Sequence, residues 1–329
     1  MLKPSEFRGY ISRFLRNPNR GLICHRLYSS ISTLQKSMKD EGCKISSLEA
    51  LGFMCELIDP DTVEPATANQ ILTSIIDGMR TYRSNNIRQA AVAALRNSIN
   101  FTSSNFENQI ERDALMQCIC EAAKTEDVRI RSVAFECIAT IGELYYEQLQ
   151  GYFETLFNVT MMAIKTDEAI VALQAIEFWF MISDQEIDIL EDVAEGMDVT
   201  YLKVIETSSA TLVPLLLESM AKQEEEEDED EEDTGCWTLS MAAASCLESV
   251  AIIVKDQVMD YVLPFVQLHF NSPNWNNRDA ALQAFGCVIG GTSADRMAPI
   301  VVGATLLLLG SLKDASSAVR GRYEGYKNL

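Results

Sequence analysis

The chain has 329 residues, of which 47% are hydrophobic, and its formal net charge is -21. Because phosphate contacts depend on Lys and Arg, this charge argues against nucleic acid and anionic membrane surfaces as partners and favours basic proteins. No apolar stretch reaches the roughly 18–20 residues that span a bilayer, since Pro299, Gly303 and Gly310 interrupt the most apolar run, 298–312, and a buried helix is predicted there.

The first 39 residues differ from the rest because they are basic. Glu6 is their only acidic residue, whereas five arginines are present: Arg8, Arg13, Arg16, Arg20 and Arg26. A basic, Ser-containing and acid-poor segment is typical of an organelle transit peptide. The interpretation that we favour is a divergent N-terminal extension.

One pattern then recurs along the chain: an aliphatic residue, often followed by a basic one, an Ala four positions later and an apolar residue four further on. Its copies are Ile87-Arg88/Ala91/Leu95, Ile130-Arg131/Ala134/Ile138, Val171/Ala175/Trp179, Leu239/Ala243/Leu247, Asn277-Arg278/Ala281/Phe285 and Val319-Arg320/Tyr323. Positions i, i+4 and i+8 share one face of a helix, and the small Ala lets a neighbouring helix approach closely.

The spacing of the copies indicates the architecture. Consecutive copies begin 43, 41, 68, 38 and 42 residues apart. Periods of about 40–47 mark HEAT and armadillo repeats, and the one long interval contains an acidic insertion. Polar segments that read as turns and N-caps precede four copies, at 84–86, 125–127, 166–168 and 271–274. An amphipathic segment lies before each turn, so each repeat is a helix–turn–helix pair that must stack on its neighbours.

The sequence therefore predicts an all-α, HEAT/armadillo-type superhelical solenoid. Helix pairs are expected over about 28–58, 67–101, 105–146, 147–184, 186–254 and 255–290, with a last pair starting at 295. Residues 1–44 are assigned to the basic extension and the start of the first pair, 45–320 to the solenoid, and 321–329 to the polar tail of a truncated last repeat.

No pattern typical of catalysis is found. His25 and His269 are too far apart in the array to cluster, and Walker, Gly-x-Ser-x-Gly and His-Glu-x-x-His motifs do not occur. The nine cysteines lack metal-ligand or disulfide spacing, which favours free, buried thiols. We therefore expect neither an enzyme nor a bound cofactor or metal.

An acidic run is the most distinctive local feature. Ten consecutive carboxylates form it: Glu224, Glu225, Glu226, Glu227, Asp228, Glu229, Asp230, Glu231, Glu232 and Asp233. Such a segment should be a solvated loop, and a solubilising insertion is its simplest role. Because it lies between the two helices of one repeat and Trp237 follows it, a basic-ligand site is the sharper hypothesis: carboxylates attract Lys and Arg, and an indole accepts a cation.

Two further surfaces are candidates. Second helices carry Glu136, Glu177, Asp184 and Glu248, which would face a groove if these helices line the concave side. First helices carry more aliphatic residues than a core needs, as in 71–76, so shallow apolar grooves are expected between them. Ordinary solvated surface in the first case, and packing between repeats in the second, are the alternative interpretations.

From about Ser47 to Val319 the chain resembles the importin-β family of nuclear import receptors. The resemblance rests on SSLEALGFMCELIDP, QILTSIIDGMR, SNNIRQAAVAALRNSINFT, VALQAIEFW, the acidic run before Trp237, VLPFV and NSPNWNNRDAALQAFGCVIGG, in this order and spacing. It implies an internal block of about seven repeats, corresponding to the fourth to tenth of nineteen in the family.

The resemblance implies partners and sites. Phenylalanine–glycine (FG) repeats of nucleoporins would dock between first helices at Leu72, Thr73, Ile76, Glu111, Leu115 and Tyr152. A basic segment of importin-α or of cargo would contact Glu177, Asp184, Trp237, Trp275 and the acidic run, which would also contact Ran-GTP. Cytoplasm, nucleus and nuclear pore are the implied locations, with neither nucleic acid binding nor membrane insertion.

The chain also departs from the family pattern. Ala114 occupies a position where the family often has an aromatic residue, and Thr160 one where an aliphatic residue is usual. The repeats that carry most of the family's contacts with Ran and importin-α have no counterpart here. A truncated HEAT scaffold or adaptor without complete transport activity is therefore the alternative prediction.

Overall fold

A computed structural model describes residues 41–57, 63–222 and 237–326. The all-α prediction is confirmed over this part of the chain, where the regular structure is helical and no strand occurs. The helices are α1 (Glu41–Leu57), α2 (Pro65–Met79), α3 (Asn85–Ser98), α4 (Ser103–Glu107), α5 (Gln109–Ala122), α6 (Val128–Leu144), α7 (Phe153–Thr166), α8 (Ala169–Ala194), α9 (Val204–Ala221), α10 (Leu239–Val254), α11 (Met259–His269), α12 (Trp275–Cys287), α13 (Ala294–Ser311) and α14 (Ser317–Tyr326). Short 3₁₀ turns lie at Ile99–Phe101, Glu147–Leu149 and Lys255–Val258.

The helices form two compact units, which divide after Gln148. In the first unit α1, α3 and α6 pack side by side, while α2 and α5 lie against α3 and α6 and contact each other. In the second unit α8, α10, α12 and α14 form one such layer, and α7, α9 and α11 form the other. The layer of α1, α3 and α6 in the first unit, like that of α8, α10, α12 and α14 in the second, is called the second-helix layer. The layer of α2 and α5, like that of α7, α9 and α11, is called the first-helix layer. This is the paired stacking that a repeat of about 40 residues predicts.

The predicted turns supply N-caps to the second helices. Side chains of Ser84, Asp127 and Asn274 accept hydrogen bonds from the first backbone amides of α3, α6 and α12. Glu168 occupies the same place before α8 without a side-chain cap. Three of the four polar segments therefore begin a helix by satisfying amides that lack an intrahelical partner.

The small residue of the repeat pattern is explained by the core. Ala91, Ala134, Ala175, Ala243 and Ala281 are all fully buried. A Cβ atom placed on Gly78 of α2 would lie only 2.8 Å from the Cβ of Ala91 on α3. Because larger side chains cannot be accommodated at such a distance, the Ala sets how closely paired helices approach.

The basic residue of the pattern also has a structural role. The Arg131 guanidinium donates to the carbonyls of Thr125 and Glu126 in the preceding turn, at 2.9 and 2.8 Å. Arg278 donates in the same way to the carbonyl of Ser272 and also forms a bidentate pair with Asp314, with both N–O distances 2.7 Å. These two arginines thus hold the turns that precede α6 and α12.

The predicted boundary between the fourth and fifth helix pairs, at 184–186, is wrong. Helix α8 continues without a break to Ala194, because no helix-breaking residue occurs before Gly196, whose φ is 86°. Glu186, placed at the start of the next pair, is instead buried within α8. Its carboxylate accepts hydrogen bonds from the amides of Val204 and Ile205, at 2.5 and 3.2 Å, and so caps α9.

The two end helices that the structure describes can be set beside the assigned segments. Helix α1 begins at Glu41, within the segment 1–44 that was assigned to the extension and the start of the first pair. Helix α14 continues through Tyr326, beyond Arg320, where the solenoid was expected to give way to a tail. Of the described helices, none combines the length and the apolar character needed to cross a bilayer.

Candidate functional site

In the first unit α2 and α5 are the neighbouring first helices between which a groove was predicted. Leu72 and Leu115 are buried, whereas Ile76 is half-buried and Thr73 is exposed. Positions 69, 72, 73 and 76 share one face of α2, because they are spaced three and four residues apart. The surface that a ligand can reach is therefore formed by Thr73, Ile76 and Glu111 over an aliphatic base.

A hydrogen-bonded cluster of Asn69, Asn105 and Glu111, called the polar bracket below, joins α2 and α5. Asn105 on α4 is only 4% exposed. Its Nδ2 atom donates to Oδ1 of Asn69 on α2 at 2.5 Å and to Oε2 of Glu111 on α5 at 2.6 Å. The other Glu111 oxygen lies 3.4 Å from Nδ2 of Asn108, the N-cap of α5. The Glu111 carboxylate is thus fixed in orientation as a hydrogen-bond acceptor beside the aliphatic base.

Sequence reasoning assigned Glu111 to the groove but missed Asn105. The Asn105 amide bonds to Asn69, which lies 36 positions earlier in the chain, so local periodicity carries no signal of it. Ala114, on the same helix as Glu111, is exposed and leaves room where a larger side chain would otherwise stand.

Tyr152 and Thr160 belong to the second unit. Tyr152 is half-buried at the N-cap of α7, while the other five residues predicted to bind FG repeats lie in the first unit. Thr160 is fully buried: its hydroxyl donates to the Leu156 carbonyl at 2.8 Å and accepts from Nε1 of Trp179 at 3.0 Å. A hydroxyl at this position is therefore used to bind the Trp179 indole and to join α7 to α8.

The predicted basic-ligand residues cluster on the second-helix layer of the second unit. The run from Glu224 to Asp233 lies outside the described residues. Trp237, the first described residue after it, is 46% exposed, and its Nε1 atom donates to Oε1 of Glu177 on α8 at 2.6 Å. Asp184 is exposed two turns further along α8. An indole and two carboxylates thus occupy one side of this helix layer.

The neighbouring helices of the same layer extend this surface. Trp275 begins α12 and is 44% exposed, and Met241 and Glu248 are exposed on α10. By contrast, Glu136 in the first unit forms an ion pair with Arg96 at 2.6 Å. Glu136 is therefore neutralised within the fold, in agreement with the simpler interpretation, whereas Asp184 and Glu248 face solvent.

The arrangement supports non-covalent binding. Burial raises the pKa of the Cys55 thiol to about 12 and raises the pKa of Cys137 and Cys246 further, so these thiols stay protonated and unreactive. Within the described ranges, no group of three or more potential metal-binding side chains is found. His269 lies against Phe265, and His25 is outside the described residues.

Comparison with known proteins identifies the family. The chain is 42% identical over 283 residues to importin subunit beta-1 of Arabidopsis thaliana, which covers 84% of this chain and 32% of that protein. The chain belongs to the importin-β family. It spans about one third of the length of this importin-β relative. No protein-family model matches the chain.

Solved importin-β structures agree with the assignment. Kap95 in a complex with Nup1 superposes with a TM-score of 0.79 at 32% identity, over 91% of this chain and 34% of Kap95. Kap95p bound to RanGDP gives a TM-score of 0.77 at 31% identity, over 89% of this chain and 33% of that protein. The HEAT-type fold predicted from the repeat spacing is thereby confirmed.

Proposed function

We propose that this importin-β segment acts in nuclear import by binding FG nucleoporins, basic segments of importin-α or cargo, and Ran-GTP. The observation that carries the proposal is the similarity, over 91% of the chain, to Kap95 as found in its complex with Nup1. The similarity to Kap95p bound to RanGDP supports Ran as a further partner. The protein would then act in the cytoplasm, in the nucleus and at the nuclear pore.

The α2–α5 groove suits an FG repeat. A phenylalanine ring can cover the half-buried Ile76 and the aliphatic base formed by Leu72 and Leu115. The Glu111 carboxylate, held by Asn105, can accept the N–H of the following glycine, which lacks a side chain that would keep the two backbones apart. Removing the ring from water supplies the affinity, and the carboxylate supplies the orientation.

The second-helix layer of the second unit suits a basic segment. Asp184 and Glu248 are exposed carboxylates, and the indoles of Trp237 and Trp275 offer apolar faces to the stems of Lys and Arg. A chain with a net charge of -21 adds long-range attraction for such a segment. The predicted acidic loop, 224–233, would extend the same region of negative electrostatic potential.

Ile76→Asp is the direct test of the nucleoporin site. The binding of a fluorescent peptide with several Phe-Gly motifs in a Ser/Gly background is measured by anisotropy on the full chain. We expect at least tenfold weaker binding, about 1.4 kcal/mol, because a carboxylate replaces the apolar contact. Ile170→Asp, at an exposed position of α8, is the matched control and should bind like the unmodified chain. Equal binding by all three proteins would refute the site.

A HEAT scaffold or adaptor without complete transport activity is the second candidate function. The paired helix layers of both units, which any HEAT protein shares, are compatible with it. The two functions differ in their response to GTP-bound Ran. Release of a bound basic peptide on addition of Ran-GTP supports a receptor, whereas retention of the peptide with intact FG binding supports the adaptor.

A further inference from the structure

A polar pocket lies in the first unit between two neighbouring turns, the one from α2 to α3 and the one from α5 to α6. Its volume is about 460 Å³. Polar and charged side chains from both turns and the adjoining helix ends line it: Thr81, Asn85, Arg88, Glu121, Lys124, Thr125, Glu126 and Asp127. In a chain whose net charge is -21, the contacts of the two cations in this lining decide which ligand the pocket suits.

Arg88 is the basic residue of the repeat pattern, and its contacts differ from those of its counterparts. In later copies Nη1 of Arg131, Arg278 and Arg320 donates to two carbonyls of the preceding turn. Within the described residues the Arg88 guanidinium makes one hydrogen bond, from Nη1 to Oδ1 of Asn85 at 3.4 Å. Its Nε atom is buried and has no acceptor there. Because an unsatisfied buried donor costs free energy, the Nε edge of Arg88 is suited to an acceptor from outside the fold.

The chain itself shows which chemical group fits this edge of a guanidinium. At Arg278, Nε and Nη2 donate to the two carboxylate oxygens of Asp314, in the turn of the next helix pair, each at 2.7 Å. Asp127 is the carboxylate in the corresponding turn for Arg88. It is instead bound by Arg129, whose Nε and Nη2 donate to it at 3.0 and 2.7 Å. A ligand carboxylate can therefore take at Arg88 the place that Asp314 has at Arg278.

Lys124 supplies a second cation to the pocket. Its ammonium makes no hydrogen bond or ion pair in the part of the chain that the structure describes. Two exposed carboxylates, Glu121 and Glu126, also belong to the lining and would repel a densely acidic segment. The pocket therefore suits a single acidic side chain that is flanked by uncharged residues.

We propose that this pocket binds an aspartate or glutamate side chain of a partner protein. The ligand carboxylate accepts from Nε and Nη2 of Arg88 as a bidentate pair, and the Lys124 ammonium attracts it from the other turn. The site shares no residue with those assigned to FG repeats or to basic ligands, so it is independent of the proposed function. It gives a strongly acidic chain a local surface for an acidic partner.

Backbone-amide NMR on the full chain tests this proposal with the blocked peptide acetyl-Gly-Ser-Glu-Ser-Gly-amide, whose only charged group is the glutamate. Salt of about 0.15 M screens carboxylates that lie farther than about 8 Å from the pocket. The amides of Thr81, Asn85 and Thr125 should shift with this peptide and should not shift when Gln replaces the glutamate. Shifts with both peptides or with neither would overturn the proposal, and so would shifts with inorganic phosphate alone.

Substitutions at Arg88 separate hydrogen-bond geometry from charge. Arg88→Gln should weaken binding of the Glu peptide roughly tenfold, and Arg88→Lys roughly fivefold, because an ammonium keeps the charge but cannot form the paired hydrogen bonds. Lys124→Gln should weaken binding about threefold. Lys165→Gln, an exposed lysine in the last turn of α7, is its matched control and should bind like the unmodified chain. Equal binding by Arg88→Lys and the unmodified chain would refute the bidentate contact.

Chemical denaturation distinguishes a binding arginine from one that serves the fold. Arg278→Gln should lower the denaturant midpoint, because it removes hydrogen bonds to Asp314 and to the carbonyl of Ser272. Arg88→Gln should leave the midpoint unchanged, so that its loss of peptide binding does not come from unfolding. A midpoint that falls as far in Arg88→Gln as in Arg278→Gln would overturn the proposal, because Arg88 would then have the structural role of its counterpart.

Discussion

The helix pair α2–α5 in the first unit and the second-helix layer of the second unit offer a ligand different chemistry. Beside α2 the Glu111 side chain is an acceptor that Asn105 holds from a third helix. On the second-helix layer Glu177 accepts from the Trp237 indole, whereas Asp184 and Glu248 face solvent. The comparison teaches that a carboxylate fixed beside aliphatic side chains suits a neutral ligand, whereas exposed carboxylates beside indoles suit a basic one.

The largest effect should come from Glu186→Ala, which acts on the second unit through the start of α9. The buried Glu186 carboxylate caps the amides of Val204 and Ile205, where α9 begins. Losing two charge-assisted hydrogen bonds should lower the free energy of unfolding by about 3 kcal/mol. Chemical denaturation measures this loss, and Glu195→Ala, at the exposed end of α8, is the control. A loss no larger than that of the control would show that the cap is unimportant.

Asn105→Ala should have the next largest effect, and it should act only on the site between α2 and α5. It removes the bracket between Asn69 and Glu111, so we expect a loss of about 2 kcal/mol in stability and severalfold weaker FG binding at Ile76. Asn158→Ala, at an exposed position of α7, should change stability by less than about 0.5 kcal/mol. If Asn158→Ala weakens FG binding at Ile76 as much as Asn105→Ala does, the Asn105 hydrogen bonds do not position the site.

Thr160→Val should cost about 1 kcal/mol of stability, because the hydrogen bond from the buried Trp179 indole is lost while the volume is kept. Thermal unfolding, followed by tryptophan fluorescence, measures it. FG binding at Ile76 should not change. Unchanged stability in Thr160→Val would contradict the structural role assigned to this hydroxyl.

The smallest change in free energy is expected from salt, which should affect the second-helix layer and not the α2–α5 site. Binding of a basic peptide near Asp184 should weaken as salt rises from 0.1 M, where exposed charges are screened beyond about 10 Å, whereas FG binding at Ile76 should change little. Asp184→Asn should reduce the salt dependence, and Asp127→Asn, in the first unit, is its control. Salt-independent binding of the basic peptide would argue against the carboxylate surface.

The sequence predicted the repeated core well because its signal is local. Ala91 and its counterparts recur at a fixed spacing, and the same spacing places them on one buried face. The polar turns also predicted N-caps, since Ser84 and Asp127 bond to amides within three residues. Local periodicity was sufficient wherever the partner lay in the same helix pair.

The remaining features depend on partners distant in sequence. Asn105 meets Asn69 across 36 residues, and Glu186 caps a helix that begins 18 residues later, so neither has a periodic signature. The sequence proposed Trp237 and Glu177 separately, as an indole beside the acidic run and a carboxylate on a second helix, and the structure adds the hydrogen bond between them.

Photo-crosslinking from Thr73, the exposed residue beside Ile76, is the most direct test of the proposal that this segment binds nucleoporin repeats. A photoreactive phenylalanine analogue replaces Thr73 in the full chain, with the same analogue at Ile170 as the control. We predict that position 73 captures a Phe-Gly peptide, that a Ser-Gly peptide is not captured, and that position 170 captures neither. Equal capture of the two peptides at position 73, or equal capture at positions 73 and 170, would contradict the proposed function.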